Sequence, residues 1–282
     1  MRKHLTVLSA LLLSLAFVGA GCSSTSSSPS TTGSSGGGGT TTVAPTGSSA
    51  PGPSGSAASG AITVSAAASL TDPFKKIGDD FKKANPAVDV KFNLASSATL
   101  SKQIIDGGAA DGFASADQAN MDKLAAPGLL AGPPTVFAHN QLAIVVKKGN
   151  PKNVKTLADL AAVATVSLCG TDVPCGKYAD QILKAANITI PTDKVTRGQD
   201  VKATLAAVSE GDADAGIVYV TDVTGDKAQS VVIPGAQNAI ATYPIGIVKA
   251  SKNQATTKAF IDYVMSAPGQ ATLRAAGFLP PT

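Results

Sequence analysis

From residue 61 onward the chain alternates short β-forming runs with stretches of helical periodicity. Ile62 to Val64 is the first such run, and after SAAASL the apolar residues Leu70, Phe74, Ile77 and Phe81 recur at three- and four-residue spacing, which predicts an amphipathic helix. NPAVDVKFNLA supplies a turn and a strand, and Ser96-Ser97-Ala98-Thr99 introduces a second helical run carrying Leu100 and Ile104. Asp111 to Ser115 reads as a short strand, followed by a helix that includes Met121 and Leu124. This rhythm predicts a parallel sheet flanked by helices.

The second half repeats the alternation without repeating the sequence. Leu142 to Val146 is an apolar strand, broken by Lys148-Gly149-Asn150-Pro151. A helix around Thr156 to Ala161, a strand at Thr165 to Leu168, a cysteine loop and a helix from about Gly176 to Ala186 follow. GQDVKATLAAVSEGDADAG predicts a helix that Asp200 caps and that ends near Gly211. Ile217 to Val220 is a strand with Tyr219 near its end, Ile245 to Val248 is another, and helices over Thr256 to Met265 and after Pro268 close the chain. The expected fold class is α/β: two lobes, each a mostly parallel sheet flanked by helices, with strands crossing between them and a ligand cleft where helix N-termini meet.

The N-terminal region has a different character. Arg2, Lys3 and His4 precede an apolar run from Leu5 to Ala20, too short and too abruptly followed by polar sequence for a comfortable spanning helix. Residues 1–21 therefore read as a signal peptide. Gly21-Cys22 resembles the end of a bacterial lipobox, with Cys22 as the lipidated thiol, although Gly19 stands where a branched apolar residue is usual. The alternatives are a plain secretory signal or a single anchor helix. Residues 22–60 form a Ser/Thr/Gly/Pro tether; from 23 to 60 it holds no charged side chain and too little apolar surface to offset the entropy of ordering.

Composition narrows the function. The 282-residue chain has a formal net charge of +4, nearly balanced once Arg2 and Lys3 are removed, and it contains no tryptophan. With no basic stripe interleaved with aromatics, nucleic acid is not an expected partner, and the ligand should be small and not aromatic. Outside the signal there is a single histidine, His139, which reads as structural, and neither Ser69 nor Ser97 has a sequence partner suggesting a triad; an enzyme is not expected. Cys169 and Cys175, in SLCGTDVPCG of an exported chain, read as a disulfide. Half a metal site, for which no histidine is near, and a redox pair, for which the spacing exceeds CxxC, are the competing readings.

Helix N-termini present unpaired N–H groups and a favourable dipole to anions, and Ser69 and Ser97 each stand at a strand-to-helix junction where a hydroxyl adds a further donor. Ordinary N-capping is the competing role for each. Beyond these residues, ITVSAAASLTDPF, ASSATLSKQI, ADGFASADQANMDKL, VPCGKYA, DVKATLAAV, DADAGIVYVTD and YPIGIV, taken in order over residues 61–282, resemble the molybdate-binding component of bacterial molybdate importers, a family of type II solute-binding proteins. The resemblance implies lobes of 61–141 together with 242–282 and of 142–241. It also implies capture of molybdate, or tungstate, for an integral membrane permease with a cytoplasmic ATPase.

The implied oxyanion ligands are Ser69 and Ser97 through hydroxyl and N–H, Cys175 and Val201 through backbone N–H, and Tyr219 through its phenol. Cys175 departs from the small residue usual there. The resemblance implies no catalytic residues, no cofactor and no direct protein ligand to the metal. A monomer, lipid-anchored on the extracytoplasmic face of the cell membrane, is expected. Molybdate, tungstate and sulfate carry no proton near neutral pH, so a wall of donors suffices, whereas monobasic phosphate would need an acceptor. Sulfate or another oxyanion, and a non-transport sensing lipoprotein of the same fold, are the alternatives. Asp222 is expected to serve the backbone or hinge, Tyr243 and Pro244 to pack the return crossover, and Lys177 and Arg197 to lie on solvated faces or steer anions.

Overall fold

The computed structural model describes residues 58–281. The signal-like segment, Cys22 and most of the tether lie outside the described residues. No helix among the described residues is long and apolar enough to cross a membrane.

The first half follows the expected alternation. Strand β1 (Gly60–Ala67) runs through a short 3-10 turn, Ala68–Leu70, into α1 (Thr71–Ala84), whose buried face is Phe74, Ile77 and Phe81. Then come β2 (Val88–Ala95), α2 (Ser97–Ile105), β3 (Gly112–Ala114) and α3 (Gln118–Ala125). Strand β4 (Thr135–Lys147) is thirteen residues long and starts well before the apolar run that announces it, because the first half, TVFAHNQ, mixes polar and apolar residues.

In the second half a 3-10 turn at Leu157–Ala161 replaces the expected helix and leads to β5 (Val166–Cys169) and α4 (Pro174–Ala185). Helix α4 begins before Gly176 because Pro174 fits the first turn, where its missing N–H costs nothing. Next are β6 (Val195–Gly198), α5 (Val201–Glu210), β7 (Ala215–Tyr219) and β8 (Ala228–Val232). Strand β9 (Ile240–Ile247) returns to the first half, and α6 (Gln254–Met265) and α7 (Ala267–Ala275) close the chain. Asp200 caps α5 and Gly211 ends it in the left-handed region, as the sequence indicates.

Strand order is β2-β1-β3-β9-β4-β7-β5-β6, with β8 also on β4. β1 pairs in parallel with β2 and β3, and β5 in parallel with β6 and β7, giving each lobe a parallel core. β9 and β4 run antiparallel to these, so the sheets are mixed. Residues Thr135–Gln141 of β4 pair with β9 and Leu142–Lys147 with β7 and β8, so one strand carries the chain from the first lobe's sheet into the second's. β6 and β8 have no counterpart in the sequence reading; each is half exposed and carries polar residues that blur alternation.

Phe74 organises the first lobe's core. Its ring lies 5.9 Å from Phe92, 5.7 Å from Phe137 and 6.0 Å from Phe260, and it is wholly buried. Phe74→Ala is expected to cost about 3–5 kcal/mol in urea unfolding, the range for an aromatic deleted from a packed core. A loss below about 1 kcal/mol would contradict this packing role.

Candidate functional site

The five residues that the resemblance implies as ligands are brought together. Ser69, Ser97, Cys175, Val201 and Tyr219 all line one cavity at the lobe junction, and each is at most 4% exposed. The cavity leaves about 10 Å³ for the centre of a water-sized sphere, near the ~10–15 Å³ that one water needs. A space of that size holds about one water, so the walls must part slightly to admit even a compact ion, and nothing as large as a sugar or a peptide fits. No lysine, arginine or histidine is among the lining residues.

Local capping explains why donors are left over. At α2 the cap is Ser96, whose Oγ accepts the Thr99 N–H at 3.1 Å. At α5 Asp200 Oδ1 accepts the Ala203 N–H at 2.9 Å. Each cap takes the third N–H and leaves the first, at Ser97 and Val201, without an intrahelical acceptor. Helix α4 has no side-chain cap and starts with proline, so the Cys175 N–H is the first donor of that end. Three helix N-termini thus meet at one cavity with their dipoles directed at it.

Neither candidate serine is a cap. Ser97 Oγ accepts the Ala116 N–H at 2.9 Å, and Ser69, in the 3-10 turn before α1, has its Oγ 3.0 Å from Tyr243 Oη. The ordinary capping role is therefore excluded for both hydroxyls.

Tyr219 ends β7, buried in the sheet, and its Oη has no hydrogen-bond partner among the described residues. Burial raises its pKa well above that of an ordinary phenol, so the group remains a donor. Asp200 also lines the cavity, with its Oδ1 engaged in capping α5.

The disulfide reading holds: Cys169 and Cys175 are bonded, with their Cα atoms 5.8 Å apart. The bond ties the end of β5 to the first turn of α4. Gly176 permits this approach, because a Cβ there would stand 2.0 Å from the Gly170 carbonyl oxygen. Arg197 does not face the cavity; its Nη1 donates to the Cys169 carbonyl at 2.8 Å. Lys177 on α4 lies 3.3 Å from Asp117, the cap of α3, and Lys202 on α5 lies 3.3 Å from Asp72 on α1. These two pairs link helices of the first half, α3 and α1, to helices of the second, α4 and α5.

Two residues behind the wall escape sequence reasoning. Tyr243, expected only to pack the crossover, also reaches Ser69, and Asn140 reaches Tyr243; no local pattern signals contacts across 174 and 103 positions. Asp222, expected to serve the backbone or hinge, is fully buried with neither oxygen hydrogen-bonded among the described residues. Lys202 Nζ stands 3.6 Å away. Burial pushes its pKa up to about 7, against the opposing pull of Lys202 and the Tyr219 backbone. Among the described residues no group of three or more His, Cys, Asp or Glu side chains could hold a metal ion.

A two-lobed α/β body with crossing strands and a small ligand cavity of backbone and hydroxyl donors defines an extracytoplasmic solute-binding protein of the type II class that serves ABC importers. The chain belongs to the bacterial extracellular solute-binding protein family, whose model matches residues 62–279. It is 40% identical over 224 residues to the molybdate-binding protein ModA of Mycobacterium tuberculosis, covering 78% of this chain and 85% of that one. Among solved structures it resembles the periplasmic molybdate-binding protein of Azotobacter vinelandii, with 19% identity, a TM-score of 0.72, and 78% and 100% of the two chains covered. It also resembles the sulfate-binding protein SubI of Mycobacterium tuberculosis, with 20% identity, a TM-score of 0.70, and 78% and 86% covered. At such identities these two structures establish the shared fold.

Asp222 makes stability depend on pH. The folded chain retains a proton that an unfolded carboxyl, ordinarily near 3.8, releases. Its contribution is therefore greatest below about pH 4 and is lost as pH rises toward 7, by up to ~4 kcal/mol. Asp222→Asn is expected to be more stable than the wild type at about pH 8, with the gain shrinking at about pH 5 when both are unfolded in urea. An equal difference at the two pH values would contradict the buried, protonated carboxyl.

Proposed function

We propose that this chain captures molybdate, with tungstate as an equivalent ligand, and delivers it to the permease of an ABC importer. The observation that carries this reading is the cavity itself: Ser69, Ser97, Cys175, Val201 and Tyr219 converge there, the phenol of Tyr219 lacks an acceptor among the described residues, and no cation lines the wall. A buried donor without a partner costs about 1–3 kcal/mol, which an anionic oxygen would offset. A dianion without a countercharge demands that all donors be engaged at once, so binding and closure of the lobes are one event. We assign the lobes to 61–141 with 242–282 and to 142–241. The identity with ModA of Mycobacterium tuberculosis supports molybdate over other oxyanions. Lipidation at Cys22 and the tether to residue 60 would hold this domain at the outer face of the membrane beside its permease.

Calorimetric titration with molybdate, alone and with excess sulfate, tests the reading. Tight one-to-one binding that survives sulfate is expected, because the two anions share charge and shape and differ in size. Sulfate binding as well or better would reassign the ligand and keep the donor set; binding of neither would overturn the site and favour a sensing lipoprotein. Tyr219→Phe is expected to weaken molybdate binding roughly ten- to a hundredfold, the worth of a hydrogen bond to a charged group. An unchanged dissociation constant would remove Tyr219 from the ligand set.

A further inference from the structure

What Ser69 offers the cavity depends on which way the hydrogen runs in its contact with Tyr243. The Asn140 amide decides it. Asn140 Oδ1 accepts the Gln141 N–H at 2.9 Å, and since a backbone N–H can only donate, this fixes the orientation of the amide. Nδ2 then directs its hydrogens to Thr221 Oγ1 at 2.9 Å and to Tyr243 Oη at 3.4 Å. A phenol that accepts from Asn140 retains one hydrogen of its own; Ser69 Oγ, at 3.0 Å, is its acceptor at hydrogen-bond distance, while Tyr219 Oη approaches without completing a hydrogen bond. The reverse direction would leave the Tyr243 hydrogen only Tyr219 Oη, which lies short of hydrogen-bond geometry, and would forfeit up to about 1–3 kcal/mol. Tyr243 is wholly buried, and burial raises its pKa, so it stays protonated.

The same logic already operates at Ser97, where Oγ accepts the Ala116 N–H and its own hydrogen is left to turn elsewhere. Tyr243 does not itself line the cavity. We propose that Tyr243 is a positioning residue for specificity: by donating to Ser69 Oγ it turns the serine hydrogen into the cavity, so that both hydroxyls present donors and oxyanions bearing a proton are disfavoured. This rests on the oxyanion reading above and deepens it. Hydrogen phosphate brings an O–H that must find an acceptor; the Ser69 oxygen, already accepting from Tyr243, has one lone pair left for it and must turn its own hydrogen out of the cavity to offer it. Released from Tyr243, the Ser69 hydroxyl can rotate to accept that hydrogen.

Tyr243→Phe deletes the one oxygen and keeps the ring that packs edge-on against Tyr219 and Phe278, with centroids at 5.9 and 5.3 Å. The test is calorimetric titration of the full chain, wild type and Tyr243→Phe, with inorganic molybdate and with inorganic phosphate at one neutral pH. The expected result is that the preference for molybdate over phosphate falls roughly tenfold in the variant, the worth of one hydrogen bond whose direction is no longer fixed. In a Ser69→Ala background the same substitution is expected to leave the preference unmoved. A purely structural role for Tyr243 would instead lower thermal stability and weaken both anions alike, in either background. An unchanged preference in Tyr243→Phe, or an equal shift in the Ser69→Ala background, would overturn the proposal. Failure of the wild-type chain to bind molybdate would overturn the oxyanion reading itself, and this proposal with it.

Discussion

The hydroxyl of Tyr219 is held by a buried strand at the edge of a cavity, and nothing among the described residues accepts its hydrogen. Folding leaves few donors in that position, because each costs about 1–3 kcal/mol. Much of the site is arranged around the same requirement. Ser96 and Asp200 cap their helices at the third N–H, which keeps the first N–H of each helix for the cavity. Helix α4 has a proline start and no side-chain cap. The result is a wall of neutral donors, polarised by three helix ends and lacking any lysine or arginine. Such a wall can hold a charge-dense ion by geometry alone, and release it when the geometry opens.

Rigidity and freedom are distributed unequally between the lobes. On the second lobe the Cys169–Cys175 bond, the close approach at Gly176 and the Arg197 contact to the Cys169 carbonyl all immobilise the loop that carries the Cys175 N–H. On the first lobe Ser69 depends on longer-range support, from Tyr243 and Asn140. The lobes meet through β4, which belongs to both sheets, and through the Asp117–Lys177 and Asp72–Lys202 pairs. Partly exposed pairs of this kind are worth at most about 1 kcal/mol each. These ion pairs therefore add little to the contact between the lobes.

The fold was largely legible in the sequence because its central elements obey simple periodicities. The helix carrying Phe74, Ile77 and Phe81, the Asp200 cap and the Gly211 stop all stand where the pattern puts them. Strands β6 and β8 were not legible, since half-exposed strands with polar residues lose their alternation. The start of β4 was hidden for a related reason: His139, Asn140 and Gln141 are polar residues inside a crossing strand. At the cavity the resemblance supplied the five residues, and the fold brings them together. Local sequence could not distinguish Ser96 from Ser97 as the cap, nor reveal that Tyr243 stands behind Ser69, because both depend on tertiary contacts.

The most direct measurement is a crystal structure of the chain with molybdate bound. One anion is expected in this cavity, its oxygens about 3 Å from the Ser69 and Ser97 hydroxyls, the Cys175 and Val201 N–H groups and Tyr219 Oη, with no cationic side chain in contact. An anion bound outside the cavity, or held there by lysine or arginine, would contradict it.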